Sequence, residues 1–194
     1  MTPYTVLVDA ERRLSDLVQA LRPADLDRPT PCAGWDVRAL LSHTLTGIEI
    51  FASAADGAPA PTAEDMFGGA DRLAGDPVAA TKRATTRSQA AWADPGDPAA
   101  EVTTILGPLP LGQVLAISAF ATIVHGWDLA IATAQPITEL PDDLVAHAWA
   151  VADQVVPGLR AAPGDHGLFQ QEVAAPEGST PTRRLMAFLG RTPA

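Results

Sequence analysis

Cysteine is nearly absent from this chain, since Cys32 is the only one among its 194 residues. A single thiol cannot form an internal disulfide, so nothing in the sequence points to an oxidising compartment. Cys32 lies just before a predicted helix start, where the helix dipole could lower the pKa of a thiol and make it reactive. The more common role of such a cysteine is that of a small buried apolar side chain.

Clustered positive charge is also missing. The chain has 13 Lys and Arg against 23 Asp and Glu, which gives a net charge of −10. Binding to nucleic acid requires Lys and Arg grouped on one surface, whereas here only Arg12-Arg13 and Arg183-Arg184 are adjacent. We therefore expect no nucleic-acid partner.

Long apolar runs are absent too. The longest stretch, from Val114 to Val124, is interrupted by Ser118, and it is shorter than the ~20 residues that span a bilayer. The first residues show no basic segment followed by an apolar run, which is the pattern of a secretory signal. We therefore expect a cytoplasmic protein without a membrane partner.

The length suits one domain with a sizeable core, and helical patterns dominate it. Five helices are predicted from caps, prolines and apolar spacing. The predicted helices begin after Thr2, after Asp36, after Asp76, near Leu111 and at Pro141. At the start of the second helix, Trp35 and Leu40 are spaced to pack on each other as a hydrophobic staple. The last helix is predicted to end before Pro157. The fourth, from Leu111 to about Thr133, is apolar on nearly every face and should be the central helix.

The remaining segments show weaker patterns. Val102 to Leu106 is rich in β-branched residues, and Gly107-Pro108 is a turn signal, so a short hairpin is predicted there. From Gly57 to Gly75 the chain is rich in Gly, Ala and Pro and reads as a long surface loop. The tail from Gly158 is predicted to be irregular, with a last helical turn at Arg184 to Leu189.

Common catalytic signatures are missing: the sequence has no Gly-rich phosphate loop, nucleophile elbow or paired-cysteine zinc motif. The residues that could carry chemistry are two histidines, His43 and His125, each close to a Trp-Asp pair. His43 is predicted on the flank of the second helix, beside small residues that leave room for a ligand. His125 lies on the most apolar helix, where burial favours the neutral ring that a metal ligand must have.

Each histidine also has an ordinary interpretation. His43 could be a partly exposed, hydrogen-bonded side chain, and His125 a core histidine bonded to a carbonyl or to Asp128. His147 and His166 are interpreted as structural or incidental. Trp35 and Trp127, which precede the two aspartates, are both expected to be structural.

Three segments form a recognisable set: Thr30 to Val37 followed by Leu41 to His43, Val124 to Ala130, and Arg184 to Arg191 with Pro193. Taken together they resemble the DinB-like superfamily, and within it the metal-binding proteins related to the N-terminal domain of mycothiol-dependent maleylpyruvate isomerase. The resemblance covers nearly the whole chain in the same order. It implies a single all-α domain over 1–194: an up-down-up-down four-helix bundle with a small hairpin (core 1–156) and an irregular C-terminal extension (157–194).

The resemblance also implies a divalent metal, zinc or nickel, near one end of the bundle. His43 matches the first family ligand, and His125 matches the histidine of a Glu-x-x-x-His turn in which Asp or His can replace Glu. The first position of that turn is Ala121 here, which cannot bind an ion. Asp128, one turn after His125, is a candidate third ligand, or a group that hydrogen-bonds a ligand from behind.

The resemblance, together with Ala121, implies two alternative functions. The first is a metal-binding transferase or isomerase that uses a low-molecular-weight thiol, with the ion lowering the pKa of a bound thiol or water. The second is a metal-free small-molecule binding or interaction protein that has lost the third ligand. The expected partners are a small-molecule ligand or thiol, and a homodimer is a further candidate state.

Overall fold

The computed structural model describes residues 1–136, 139–160 and 168–192. The described elements, in chain order, are α1 (Pro3–Gln19), α2 (Val37–Asp56), α3 (Ala63–Phe67), α4 (Pro77–Trp92), β1 (Glu101–Thr104), β2 (Gly107–Pro110), α5 (Leu111–Thr133), α6 (Asp142–Leu159) and α7 (Pro181–Phe188). The prediction of an all-α fold with one small hairpin is confirmed. His166 lies outside the described residues.

Local capping explains where the first three long helices begin. The side chain of Thr2 accepts a hydrogen bond from the Thr5 amide at the start of α1. Asp36 Oδ1 accepts from the Ala39 amide at 2.8 Å, and Asp76 caps α4 in the same way. Each cap satisfies an amide that the first helical turn leaves without a partner.

Helix α5 is the centre of the fold, as predicted. It packs against α1, α2 and α6, and most of its residues are buried. By length and composition it could cross a membrane, but 72% of its most apolar window is buried inside the molecule. Its apolar character therefore fits a core helix.

The directions of α2 and α4 follow from their contacts. Arg87 lies late in α4 and donates to the Glu49 carbonyl at 3.1 Å and to Ser53 Oγ at 2.9 Å. Both acceptors lie in the later part of α2. Ala80, early in α4, lines a surface groove with Leu45, early in α2. The two helices therefore run in the same direction.

The other pairs complete the topology. His43, early in α2, lies beside His125, late in α5, so these helices are antiparallel. Gln135, just after α5, donates to the Leu17 carbonyl late in α1 at 3.0 Å, so α1 and α5 run in the same direction. The bundle is up-down-down-up, and the predicted up-down-up-down order is wrong, because the segment 57–76 runs back along α2 before α4 begins.

That segment is not the plain surface loop that its composition predicted. It contains α3, which Thr62 opens by accepting from the Asp65 amide while the Asp65 carboxylate accepts from the Thr62 amide. Leu73 is fully buried between α2 and α4. The reciprocal capping and the buried leucine tie the segment to the bundle and place α3 over α2.

The C-terminal part also differs from its prediction. Helix α6 continues through Pro157 to Leu159, since a proline in the last turn removes only one backbone hydrogen bond at the helix end. Helix α7 starts at Pro181 behind the capping Thr180, and Leu185 and Met186 are completely buried. The extension therefore contributes to the core.

Glu11 on α1 is a buried acid that makes stability depend on pH. Its side chain is inaccessible to solvent, and Gln89 Nε2 donates to Oε2 at 3.0 Å. Burial raises the pKa of Glu11 to about 7, so the folded protein takes up a proton that the unfolded chain releases above its ordinary pKa.

We expect the free energy of unfolding to fall by about 3 kcal/mol between pH 4.5 and pH 7 because of this one carboxyl group. The sign follows from the raised pKa, because the folded state binds more protons across that interval. The lowered pKa of His43 makes stability rise over the same interval, so the contribution of Glu11 is measured as the difference in unfolding free energy between Glu11→Gln and the parent. In urea unfolding this difference should grow by about 3 kcal/mol in favour of Glu11→Gln between pH 4.5 and pH 7. Glu172→Gln, at an exposed acid, is the matched control, and a difference between Glu11→Gln and the parent that does not change with pH would contradict the assignment.

Candidate functional site

The two histidines singled out by the sequence meet inside the bundle. Helix α2 presents His43 and helix α5 presents His125, and their ring centroids are 5.1 Å apart with the ring planes perpendicular. Both rings line the same cavity. The two histidines that the resemblance implies as ligands are therefore neighbours in the folded chain.

His43 has one ring nitrogen engaged and one available. Its Nδ1 lies 3.0 Å from the Met66 carbonyl oxygen in α3, and because a carbonyl only accepts, Nδ1 carries the proton. Nε2 therefore carries the free lone pair. Burial, and then the neighbouring His125, lower the pKa of His43 to about 3, so the ring is neutral at pH 7.

His125 has the same division of roles. Its Nδ1 lies 3.2 Å from Asp128 Oδ2, one turn further along α5. Burial alone would raise the pKa of Asp128. The Arg191 guanidinium and the hydrogen bonds that the Asp128 carboxylate accepts from His125 and Arg191 hold that pKa well below its usual range. The ionised carboxylate accepts, so Nδ1 of His125 donates, and in the neutral form of the ring Nε2 carries the lone pair.

Asp128 is the centre of a buried polar network. Arg191 donates to it in a bidentate manner, from Nε to Oδ1 at 3.0 Å and from Nη2 to Oδ2 at 2.9 Å. Cys32 Sγ donates to Oδ2 at 3.3 Å. In this arrangement Asp128 orients His125, which corresponds to the second of its two predicted roles.

Cys32, His125 and Asp128 form a group that could hold a metal ion, since their ligand atoms lie within 4.8 Å of one another. However, Arg191 Nη2 lies 3.8 Å from Cys32 Sγ and 2.9 Å from Asp128 Oδ2, and this permanent positive charge repels a cation there. Burial, and then Asp128, raise the pKa of the Cys32 thiol to about 12. A lowered pKa for Cys32, one of the two sequence hypotheses, is wrong.

The pair of free Nε2 atoms is the better candidate centre. Ala121 lies one turn before His125 on α5 and lines the cavity, where its methyl group offers no ligand atom. Among the described residues, His43 and His125 are therefore the protein groups at the cavity wall that could bind an ion without disturbing the Arg191 network. Their role as metal ligands stays a prediction.

The cavity itself measures about 430 Å³. Trp35 and Phe67 flank His43, with ring centroids 4.5 and 5.6 Å from the imidazole. Beyond the histidines its wall is formed mainly by apolar side chains of α5, α6, the hairpin and the segment that follows residue 167. A site of this size and character is typical of small-molecule binding.

Three residues of this site were not found from the sequence. Met66 and Phe67 lie in the segment interpreted as a loop, although Thr62 and Asp65 have the spacing of a capping box that predicts a helix there. Arg191 appeared only within the C-terminal segment that carries the resemblance. No local pattern indicates that its guanidinium is buried against Asp128.

His147, by contrast, lies on α6 outside this cavity, and its Nε2 is 3.1 Å from the Ala116 carbonyl oxygen. It makes a structural contact, as predicted.

The two tryptophans lie in different surroundings, and both pack against the core, so the expectation that both are structural stays a prediction. Trp127 is 3% exposed and packs in the core, whereas Trp35 is half-buried, contacts His43 and lines the cavity. We expect Trp127→Ala to lower the free energy of unfolding by about 3 to 5 kcal/mol, and Trp35→Ala to lower it clearly less. Equal losses in chemical denaturation would contradict this division.

Comparison with known proteins agrees with this architecture. Residues 7–130 match the family described as mycothiol maleylpyruvate isomerase N-terminal domain. Two uncharacterized proteins of Mycobacterium tuberculosis, from strains CDC 1551 / Oshkosh and ATCC 25618 / H37Rv, are each 32% identical over 99% of both chains.

Two solved structures are similar in fold. The crystal structure of the mycothiol-dependent maleylpyruvate isomerase has a TM-score of 0.57 at 18% identity, and a histidine-to-alanine mutant of that enzyme has 0.59 at 17%. The similarity covers 75% of this chain and 65% of the enzyme, so about a third of the enzyme has no counterpart in the alignment. The match to the family over most of the bundle, with relatives similar from end to end, shows that this chain belongs to the mycothiol maleylpyruvate isomerase N-terminal domain family.

Proposed function

We propose that this protein binds a divalent metal ion, zinc or nickel, through Nε2 of His43 and Nε2 of His125. We further propose that it serves as a transferase or isomerase dependent on a low-molecular-weight thiol. The observation that carries the proposal is the state of the two rings: each Nδ1 faces a fixed acceptor, and each Nε2 is left with its lone pair beside one cavity.

Such an arrangement is what metal-ligating histidines require. A ligating imidazole almost always donates its other N–H to a carbonyl or a carboxylate, which fixes the tautomer and the ring orientation. His43 has the Met66 carbonyl in that position, and His125 has Asp128, which Arg191 holds in turn. The chain therefore holds two imidazoles whose orientation already suits metal binding through Nε2.

Two imidazoles bind zinc or nickel more weakly than three protein ligands do. Because Ala121 supplies nothing, the ion would be held tightly only when a small molecule contributes a further ligand. When bound, the ion supplies Lewis-acid chemistry that lowers the pKa of a thiol or water. The protein positions the two imidazoles, and most of the cavity wall around them is apolar.

The thiol would come from outside the chain. Cys32 is the only cysteine, and it is protonated and hydrogen-bonded to Asp128, so it holds the network together and is not available as a nucleophile. Use of a small thiol is supported by the family and by the name of the similar solved enzyme, which is mycothiol-dependent.

A metal-free binding protein is the second candidate, and one observation favours it. Ala121 removes the third ligand from the wall of the cavity while leaving the cavity itself open. In that case Nε2 of His43 and Nε2 of His125 would accept hydrogen bonds from a bound small molecule.

Calorimetric titration with zinc and nickel distinguishes the two functions. The protein is prepared without a metal-affinity tag, stripped with chelator, and titrated with and without a small thiol. We expect binding that the thiol strengthens, and a loss of at least about tenfold in affinity in His43→Ala and in His125→Ala. His147→Ala, at the histidine outside the cavity, should bind as the parent does. Absence of binding in the parent, or equal binding in His43→Ala, would favour the metal-free function.

A further inference from the structure

We propose that the cavity takes an uncharged, apolar small molecule with a single polar head, whose head meets His43 and His125 and whose body fills the far end. The proposal rests on the proposed function only for the orientation of the head. The apolar end is a binding site of its own and can be tested without any metal.

The two ends of the cavity differ in character. At one end lie the two imidazoles, which supply hydrogen-bonding and ligating atoms. Away from the imidazoles the wall is made of aliphatic side chains, among them Ile117, Val155 and Leu159. Phe169 contacts both Phe120, at 6.2 Å between ring centroids, and the Arg191 guanidinium, 5.9 Å from its ring. A molecule that fits both ends has one polar terminus.

The charges around the cavity exclude an anionic body. Arg191 is the one charged residue among the described residues that line it. Its guanidinium makes two hydrogen bonds to Asp128 and one to the Leu189 carbonyl at 3.2 Å, so the positive charge is already neutralised. Among the described residues of the wall, a buried carboxylate would lose its hydration and find only Arg191, whose charge is already paired with Asp128.

The mouth of the cavity is apolar as well. Of the six large apolar side chains that are most exposed among the described residues, four line this cavity: Phe67, Ile105, Leu106 and Leu168. They come from α3, the hairpin turn and the segment after residue 167, and they continue the apolar wall outward. The volume of about 430 Å³ lies in the range of small-molecule pockets, so the occupant is a small molecule.

A chain-length series tests this inference. The neutral dye N-phenylnaphthylamine is bound to metal-stripped protein and displaced by linear alcohols from butanol to decanol. Burial of each added methylene should increase affinity by about three- to fourfold, until the cavity is full. The ω-hydroxy carboxylates of the same lengths, which differ by a charge at the far end, should bind at least about tenfold more weakly.

Substitutions locate the binding in this cavity. Leu159→Asp places a carboxylate in the apolar wall and should abolish the gain with chain length. Leu168→Asp changes a side chain that is 52% exposed, so it tests the same wall even if Leu159→Asp fails to fold. The matched control is Val78→Asp, which alters a 45% exposed valine away from the cavity and should bind as the parent does.

The outcomes separate this inference from the proposed function. Affinity that does not depend on chain length, or ω-hydroxy carboxylates that bind as tightly as alcohols, would overturn it even if metal binds at His43 and His125. A full chain-length effect in both the parent and His43→Ala, without metal binding in either, would support it and exclude the metal.

Discussion

Ala121→Glu is expected to raise the affinity for zinc or nickel by about two to three orders of magnitude. The substitution places a carboxylate one turn before His125 on the same face of α5, where Ala121 already lines the cavity. It would complete a set of two imidazoles and one carboxylate, which is a common ligand set for divalent metals. The ion neutralises the new charge, so the carboxylate is not left buried and unpaired.

Calorimetry on metal-stripped protein measures the effect. Ala121→Gln has nearly the same shape without the charge and should gain far less, because an amide oxygen is a weak ligand for these ions. Adding His43→Ala to Ala121→Glu should remove most of the gain. If the parent already binds as tightly as Ala121→Glu, another protein group completes the site; if neither binds, the cavity works without metal.

Arg191→Met is expected to lower the free energy of unfolding at pH 7 by about 3 to 5 kcal/mol. Methionine retains much of the apolar stem but removes the bidentate donor from Asp128, which is completely buried. The remaining carboxylate must then stay charged without a partner or take up a proton. Either way His125 loses the fixed acceptor at its Nδ1, so a metal bound at Nε2 should be weakened as well.

In this variant the pH dependence of the stability that Asp128 contributes should reverse its sign. In the parent the pKa of Asp128 is lowered, so the stability that it contributes is lost as the pH falls. Without Arg191, burial raises the pKa of Asp128, and stability should instead be lost as the pH rises. Urea unfolding over a pH series measures the sign.

A second substitution tests the cause. Asp128→Asn in the Arg191→Met background removes the unpaired charge and should recover part of the stability at pH 7. Arg183→Met, at an exposed arginine on α7, is the control and should change little. A loss in Arg191→Met that Asp128→Asn does not relieve at any pH would show that the loss comes from packing.

The sequence by itself determined the positions of the main helices and the identity of the two histidines. Thr2, Asp36 and Asp76 cap helices whose apolar residues recur at the helical period, and these are local effects that act within one turn. The central position of α5 followed from its composition, because a helix that is apolar on all faces must be covered on all faces. The spacing of Ala121 from His125 likewise follows from the helix repeat.

The tertiary structure alone decided the direction of α4, the partners of the two imidazoles and the role of Arg191. The composition from Gly57 to Gly75 predicts a plain surface loop. The burial of Leu73 and the contact between His43 and the Met66 carbonyl depend instead on residues far away in the chain. Arg191 reaches Asp128 across 63 residues, and no periodic pattern links the two. Hydrogen bonds between distant segments depend on which surfaces the folded chain brings together, and local propensity cannot specify that choice.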